Sequence, residues 1–292
     1  MADVAAAGLK TEAAIGEVPG VRQVQSRAAM ENFSVASIVL GRETRRHLLA
    51  IYGYARLVDE LGDAVAGDRR ASLDAFEADL DRIFDGGAPE HDVLRQLQPT
   101  IRELHLPRGP FQRLIDANRR DQEHLVYGTF AELVAYCDLS ANPVGELVLH
   151  VFGAASPENI SLSDKVCTAL QLAEHWQDVA EDFRAGRIYL PGEDRERFDV
   201  EDTDLSGATA APRLKQLMAF EVARARDLLD DGAPLVGRLH GRARLAVAGY
   251  VGGGFAALDA IQAAGFDVLA GTPKATRARR AASTLSIYLR RS

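Results

Sequence analysis

A chain of 292 residues with 47% apolar and 26% charged side chains falls among globular proteins and can bury a sizeable core. Its 42 acidic against 34 basic side chains give a formal charge of −8, which argues against a nucleic-acid-binding surface and means that an anionic substrate would need help from cations. Cys137 and Cys167 lie in apolar surroundings without CxxC or Cys/His spacing, so neither zinc nor a disulfide framework is expected, and the thiols read as core groups of a reducing, cytoplasmic compartment.

Residues 1–29 carry no basic-then-apolar secretory pattern and read as a flexible N-terminal arm ahead of one helical domain over 30–292. From there apolar residues recur at three- and four-residue spacing, as in Leu73, Phe76, Leu80 and Ile83, while alternating stretches are scarce, so the fold class is all-α. The pattern predicts helices at 42–64, 69–84, 90–104, 108–125, 129–153, 160–184, 213–232, 237–264 and 273–289. Apolar runs are too short to span a bilayer. The longest break, Pro191 to Pro212, holds seven acids and reads either as a lid over a site or as a solvated loop.

The first of these helices contains YARLVDELGDAV, with Asp59 and Asp63 four residues apart and Arg56 one turn earlier. The sixth closes on HWQDVAEDFRAGRIYLP, where Asp178 and Asp182 repeat the spacing, Glu181 stands beside them, and Arg184, Arg187 and Tyr189 follow. Acids at this spacing share a helix face and repel each other, so they either decorate solvent or hold a cation. Mg²⁺ suits the second reading, because it takes one or two carboxylates and completes its shell with water and phosphate oxygens. The arginines would then bind phosphate oxygens, or else serve as surface ion-pair partners. His150 and His175 read as packed or surface histidines, since Mg²⁺ prefers oxygen; His175, three residues before Asp178, is placed to tune that carboxylate.

Between the acid-bearing helices, YCDLSANPVG puts Pro143 inside a helical run, which predicts a kink with freed carbonyls near Ser140 and Asn142. Further on, GYVGGGF holds its glycines within a helical pattern. Lacking a preceding strand and the GxGxxG order, it reads as a place where helices approach closely or where a cavity widens for a long chain, rather than as a dinucleotide site.

The stretches LLAIYGYARLVDELGD and LQLAEHWQDVAEDFRAGRIYLP, in this order, resemble the two signature motifs of the squalene/phytoene synthase family. With MENFSVAS and YCDLSANPVG they look most like its hydroxysqualene synthases of hopanoid biosynthesis. The resemblance implies an isoprenoid-synthase helical fold with a central cavity in which two acid-bearing helices face each other and Mg²⁺ holds a diphosphate. It puts metal ligands at Asp59, Asp63, Asp178, Glu181 and Asp182, and substrate-binding groups at Arg56, Gln171, Arg187 and Tyr189. Tyr136 falls where the family keeps a tyrosine near the diphosphate and Phe33 where an aromatic lines the cavity entrance. One departure is Glu174, where the family usually has asparagine; it either binds a metal or repels the diphosphate.

The implied reaction is the Mg²⁺-dependent conversion of presqualene diphosphate and water to hydroxysqualene and diphosphate, alongside companion enzymes of squalene synthesis. Head-to-head condensation of two prenyl diphosphates such as farnesyl diphosphate, giving presqualene diphosphate, dehydrosqualene or phytoene, would use the same acids. Glu174 keeps open a non-catalytic helical protein that binds a prenyl lipid or stabilises an enzyme complex. Finally, residues 268–292 contain six basic and no acidic side chains. With Leu285, Ile287 and Leu289 they read as an amphipathic tail for peripheral contact with an anionic membrane, as a solvated tail, or as partners of the acidic break.

Overall fold

The computed structural model describes residues 40–63, 67–123 and 126–290. The N-terminal arm and Phe33 lie outside the described residues. Among those described there is no strand, and the one β-type pairing is an isolated parallel bridge between Val126 and Ile188. Two compact units result: one comprises the described residues up to Glu123 with His150–Gly153, the other those from Val126 to Leu149 and from Ala154 onward.

In the first unit, helix α1 (Arg42–Asp63) packs on α2 (Arg69–Phe84), α3 (Asp92–Leu104) and α4 (Arg108–Asp121). The register of α1 follows from its sequence: Leu48, Ile51, Tyr54, Leu57, Val58 and Leu61 recur at three- and four-residue spacing and are all buried. Asp59 and Asp63 fall off that buried face and stay exposed. Tyr54 fixes α1 against α4, its hydroxyl donating to the Phe111 carbonyl at 2.8 Å and its ring meeting Phe111 edge-on at 5.0 Å.

The second unit is organised around α7 (Pro157–Gln177), which starts at a Ser156 cap and buries Val166, Ala169, Leu172, Ala173 and Trp176. It packs against α5 (Phe130–Ser140), α11 (Pro212–Gly232) and α13 (Gly241–Ala263). Helix α13 is long and apolar enough to cross a bilayer by length and composition, yet more than half of that stretch is buried among its neighbours. The close helix approach expected of its glycines is present. A Cβ on Gly252 would stand 2.6 Å from the Thr284 backbone, in the last helix, α14 (Arg277–Arg290).

Three expectations are corrected. The helix predicted over 129–153 is two helices, α5 and α6 (Asn142–Val151), because Pro143 sits in the first turn of a new helix, where its missing N–H costs nothing. The helix predicted over 160–184 breaks at Asp178 (φ −107°, ψ 15°), which ends α7 and begins the six-residue α8 (Val179–Arg184).

The third is the solvated-loop reading of the acidic break. That segment is folded into α9 (Gly192–Arg197) and α10 (Asp202–Leu205), followed later by the short α12 (Leu235–Arg238) after α11. Asp194 is buried and takes the fork of Arg224 on α11, at 2.9 and 3.1 Å. That guanidinium also lies 4.0 Å from the Phe130 ring centroid and 4.4 Å from that of Phe220. The segment is therefore anchored by a buried ion pair and by Glu193, which accepts the Phe130 N–H at 2.8 Å.

Glu221, fully buried one turn before Arg224, carries a consequence for stability. Burial, with Asp194 beside it, pushes its carboxyl up from 4.5 to about 8 against the pull of Arg224. The folded state thus holds a proton that the unfolded chain releases above pH 4.5, so stability is lost as pH rises through this window, by about 3 kcal/mol at pH 7. In urea unfolding, Glu221→Gln is expected to gain on the wild type between about pH 5 and pH 8. A constant difference between the two proteins across that range would contradict the assignment.

Candidate active site

On α1, Asp59 Oδ1 accepts the Asn118 amide from α4 at 3.3 Å, and the same amide also donates to the Leu114 carbonyl at 3.2 Å. Gly62 makes this possible: a Cβ there would lie 2.1 Å from Asn118 Oδ1. Although Asp59 keeps a solvent-accessible face, dense protein around its carboxyl, together with Asp63 and Asp121, raises its pKa to about 6 against the Asn118 bond and Arg56. Arg56 lies 3.7 Å from Glu60 one turn on, so one of its partners is intrahelical. Asn118 was not among the predicted site residues. Its signal was a polar residue continuing the Phe111, Leu114, Ile115 buried face.

In the second unit the break at Asp178 and the GRIYLP stretch bring most of the remaining predicted residues together. Asp178, Glu181 and Asp182 occupy one turn, with the Glu181 and Asp182 N–H groups both bonded to the Asp178 carbonyl at 2.9 Å. Burial, then Glu181, raises the Asp178 carboxyl, while Lys274 and a Thr272 hydrogen bond lower it. Asp182 is pushed to about 6 by burial, with Asp178, Glu181 and Glu174 adding to the effect and Arg187 opposing it. Glu174 is exposed, and its charge is felt at Asp182, so it adds negative potential where the acids already repel.

Beside these acids stands an aromatic cluster. Tyr189 stacks on His175 at 3.6 Å and on Tyr127 at 5.7 Å, and Tyr136 lies 6.1 Å from Tyr189 and 5.4 Å from Tyr127. Gln171 meets His175 Nε2 at 3.3 Å; with the amide donating, the ring nitrogen accepts. His175 is packed as expected, and burial, then Arg187, pushes it to about 3, so it stays neutral. His175, Asp182, Arg187 and Tyr189 share the lining of a small cavity of about 10 Å³, enough for one water.

Tyr127 and Lys274 were not foreseen. Tyr127 follows a break between helices, where no helical period marks it. Lys274 arrives from the tail: Gln177 donates to the Pro273 carbonyl, which carries the Thr272–Lys274 segment to Asp178.

Among the described residues, the one trio of potential ligands with atoms within 4.8 Å of one another is Glu43, His47 and Glu103, away from the predicted acids. Arg46 contacts two of the three, 2.5 Å from Glu103 and 3.3 Å from His47, and supplies positive charge beside them. The carboxylates of Asp178, Glu181 and Asp182 form no such closed cage. They suit an ion that keeps waters and takes substrate oxygens.

A helical protein carrying two acid motifs of this kind belongs to a defined class. The family model for squalene/phytoene synthase matches residues 26–281, and the chain belongs to that family, whose members process prenyl diphosphates. Phytoene synthase of Mycobacterium tuberculosis is 33% identical over 232 residues, 78% of this chain and 76% of its own. Hydroxysqualene synthase of Rhodopseudomonas palustris is 32% identical over 213 residues, 72% of this chain and 71% of its own. The crystal structure of squalene synthase HpnC from Alicyclobacillus acidocaldarius is 42% identical, with a TM-score of 0.79 over 84% of this chain and 94% of that one. A dehydrosqualene synthase solved with a ligand, 23% identical, matches 93% of this chain and 97% of its own at a TM-score of 0.84, which establishes the isoprenoid-synthase fold.

Proposed function

We propose that the chain converts presqualene diphosphate and water to hydroxysqualene and diphosphate, with Mg²⁺ as cofactor. The observation that carries this choice is the 42% identity to a squalene synthase over most of both chains, and the hydroxysqualene synthase likeness supplies the reaction. The donor set fits Mg²⁺. Asp178, Glu181 and Asp182 offer hard oxygens within one turn, and the Asp178 and Asp182 carboxyls, raised first by burial and then by their acidic neighbours, would be favoured in their charged form by a divalent cation. Asp59 and Asp63 repeat the arrangement on α1. When bound, the ion would offset the charge that develops on the departing diphosphate.

The protein's own groups do the rest. Arg187, Tyr189 and Lys274 would donate to diphosphate oxygens beside the second acid motif; Arg56, one turn before Asp59, is the corresponding cation of the first motif. As the carbon–oxygen bond breaks, the rings of Tyr127 and Tyr136 would steady the allylic and cyclopropylcarbinyl cations without adding to them. His175, held neutral, places no charge of its own there. Diphosphate leaves with the electron pair of the broken carbon–oxygen bond, and water then bonds through its oxygen to the rearranged carbocation and passes a proton to the released diphosphate.

The second reading is head-to-head condensation of two prenyl diphosphates, supported by the 33% identity to a phytoene synthase over 78% of the chain. Incubation in ¹⁸O-water with Mg²⁺ and presqualene diphosphate, read by mass spectrometry, separates the two. A C30 alcohol carrying a single heavy oxygen is expected. Efficient consumption of farnesyl or geranylgeranyl diphosphate alone would sink the first reading, and turnover of none of the three would favour a non-catalytic prenyl-lipid-binding protein.

A further inference from the structure

Helix α14 has two unlike sides. One is held to α13: Gly252 meets the Thr284 backbone closely, while Arg244 donates to the Tyr288 carbonyl at 2.7 Å and lies 4.4 Å from that ring's centroid. The other side presents Ala278, Ala281, Ala282, Leu285 and Leu289, all exposed and spaced three or four apart, so they form one stripe. Leu285 at 58% and Leu289 at 63% are the most exposed large hydrophobic side chains among the described residues.

The stripe is flanked by exposed Arg277, Arg279 and Arg290. From Val268 to the last residue the sequence has six basic side chains and no acid, in a chain of net charge −8. The start of the tail has another task, since Val268, Leu269 and Pro273 are buried and Lys274 lies beside Asp178. The basic, apolar surface is therefore confined to a helix about 21 Å long. One helix face of that length falls well short of the roughly 800 Å² per partner that a stable protein interface buries. A bilayer surface needs no complementary partner, and it matches both features at once: leucines for the acyl boundary and guanidinium groups for anionic headgroups.

We propose that α14 is a docking helix for an anionic lipid bilayer, entering it with Leu285 and Leu289. The inference is independent of which prenyl diphosphate the enzyme takes. It is tested by sedimenting the full chain with vesicles of phosphatidylcholine, alone or with about one third phosphatidylglycerol, at low and high salt. Binding is expected only with the anionic lipid and only at low salt. The Leu285→Ser/Leu289→Ser and Arg277→Ser/Arg279→Ser/Arg290→Ser variants should each lose at least about five-fold of the bound fraction. Their turnover of detergent-dispersed substrate and their melting temperatures should stay at wild-type values, because these side chains line neither acid cluster. Equal binding to neutral vesicles, no binding to either, or wild-type binding by the leucine variant would each overturn the proposal. So would light scattering that shows the leucine substitutions dissolving a dimer without affecting vesicle binding.

Discussion

Asp178→Asn and Asp59→Asn are each expected to lower turnover by roughly 100-fold or more while the helical circular dichroism signal and the melting temperature hold. Neither side chain contributes to an apolar core. Asp178 sits at the break between α7 and α8 with its carboxyl already raised by burial and by Glu181, so removing its charge relieves repulsion in the empty protein. Asp59 is likewise raised, to about 6, and loses little beyond one 3.3 Å hydrogen bond that an asparagine can partly replace. Activity should therefore fall without a fall in stability. Near-wild-type turnover in both variants would remove the acids from the chemistry, whereas a matching loss of stability would make them structural groups.

Arg224→Ala is expected to have the largest effect on folding. The substitution leaves Asp194 buried without its two guanidinium bonds, withdraws the cation 3.6 Å from fully buried Glu221, and empties the space between Phe130 and Phe220. Breaking a buried pair from one side costs about 3–5 kcal/mol, which for a chain of this size is on the order of 10 °C in Tm. Arg224→Lys should recover only part of that loss, since an ammonium keeps the charge but not the fork. A Tm within about 2 °C of wild type for Arg224→Ala would show that the ion pair does not anchor the segment.

These two expectations differ in how far the sequence alone could lead. The helices and the acid motifs were legible because a 3.6-residue period survives in the positions of apolar side chains, and Leu48 to Leu61 on α1 is as readable in letters as in space. The acids of the second motif came together with Tyr136, Gln171, Arg187 and Tyr189, which lie near them through short connections and one long helix. What could not be read depends on groups distant in sequence. Asp194 is one acid among seven between Pro191 and Pro212, and only the fold shows that it meets Arg224, 30 residues on, and is buried. Asn118 reaches Asp59 across 59 residues, and Lys274 reaches Asp178 because the tail doubles back over Gln177. The break at Asp178 also escaped the period, since the apolar pattern runs through it unchanged.

The central claim is that the acid-bearing helices serve a prenyl diphosphate through a divalent cation. Release of inorganic diphosphate from presqualene diphosphate, titrated with Mg²⁺ at constant ionic strength, tests it most directly. The account predicts saturable dependence on Mg²⁺, complete loss in chelator and full recovery on adding the metal back; release undiminished in chelator would contradict it.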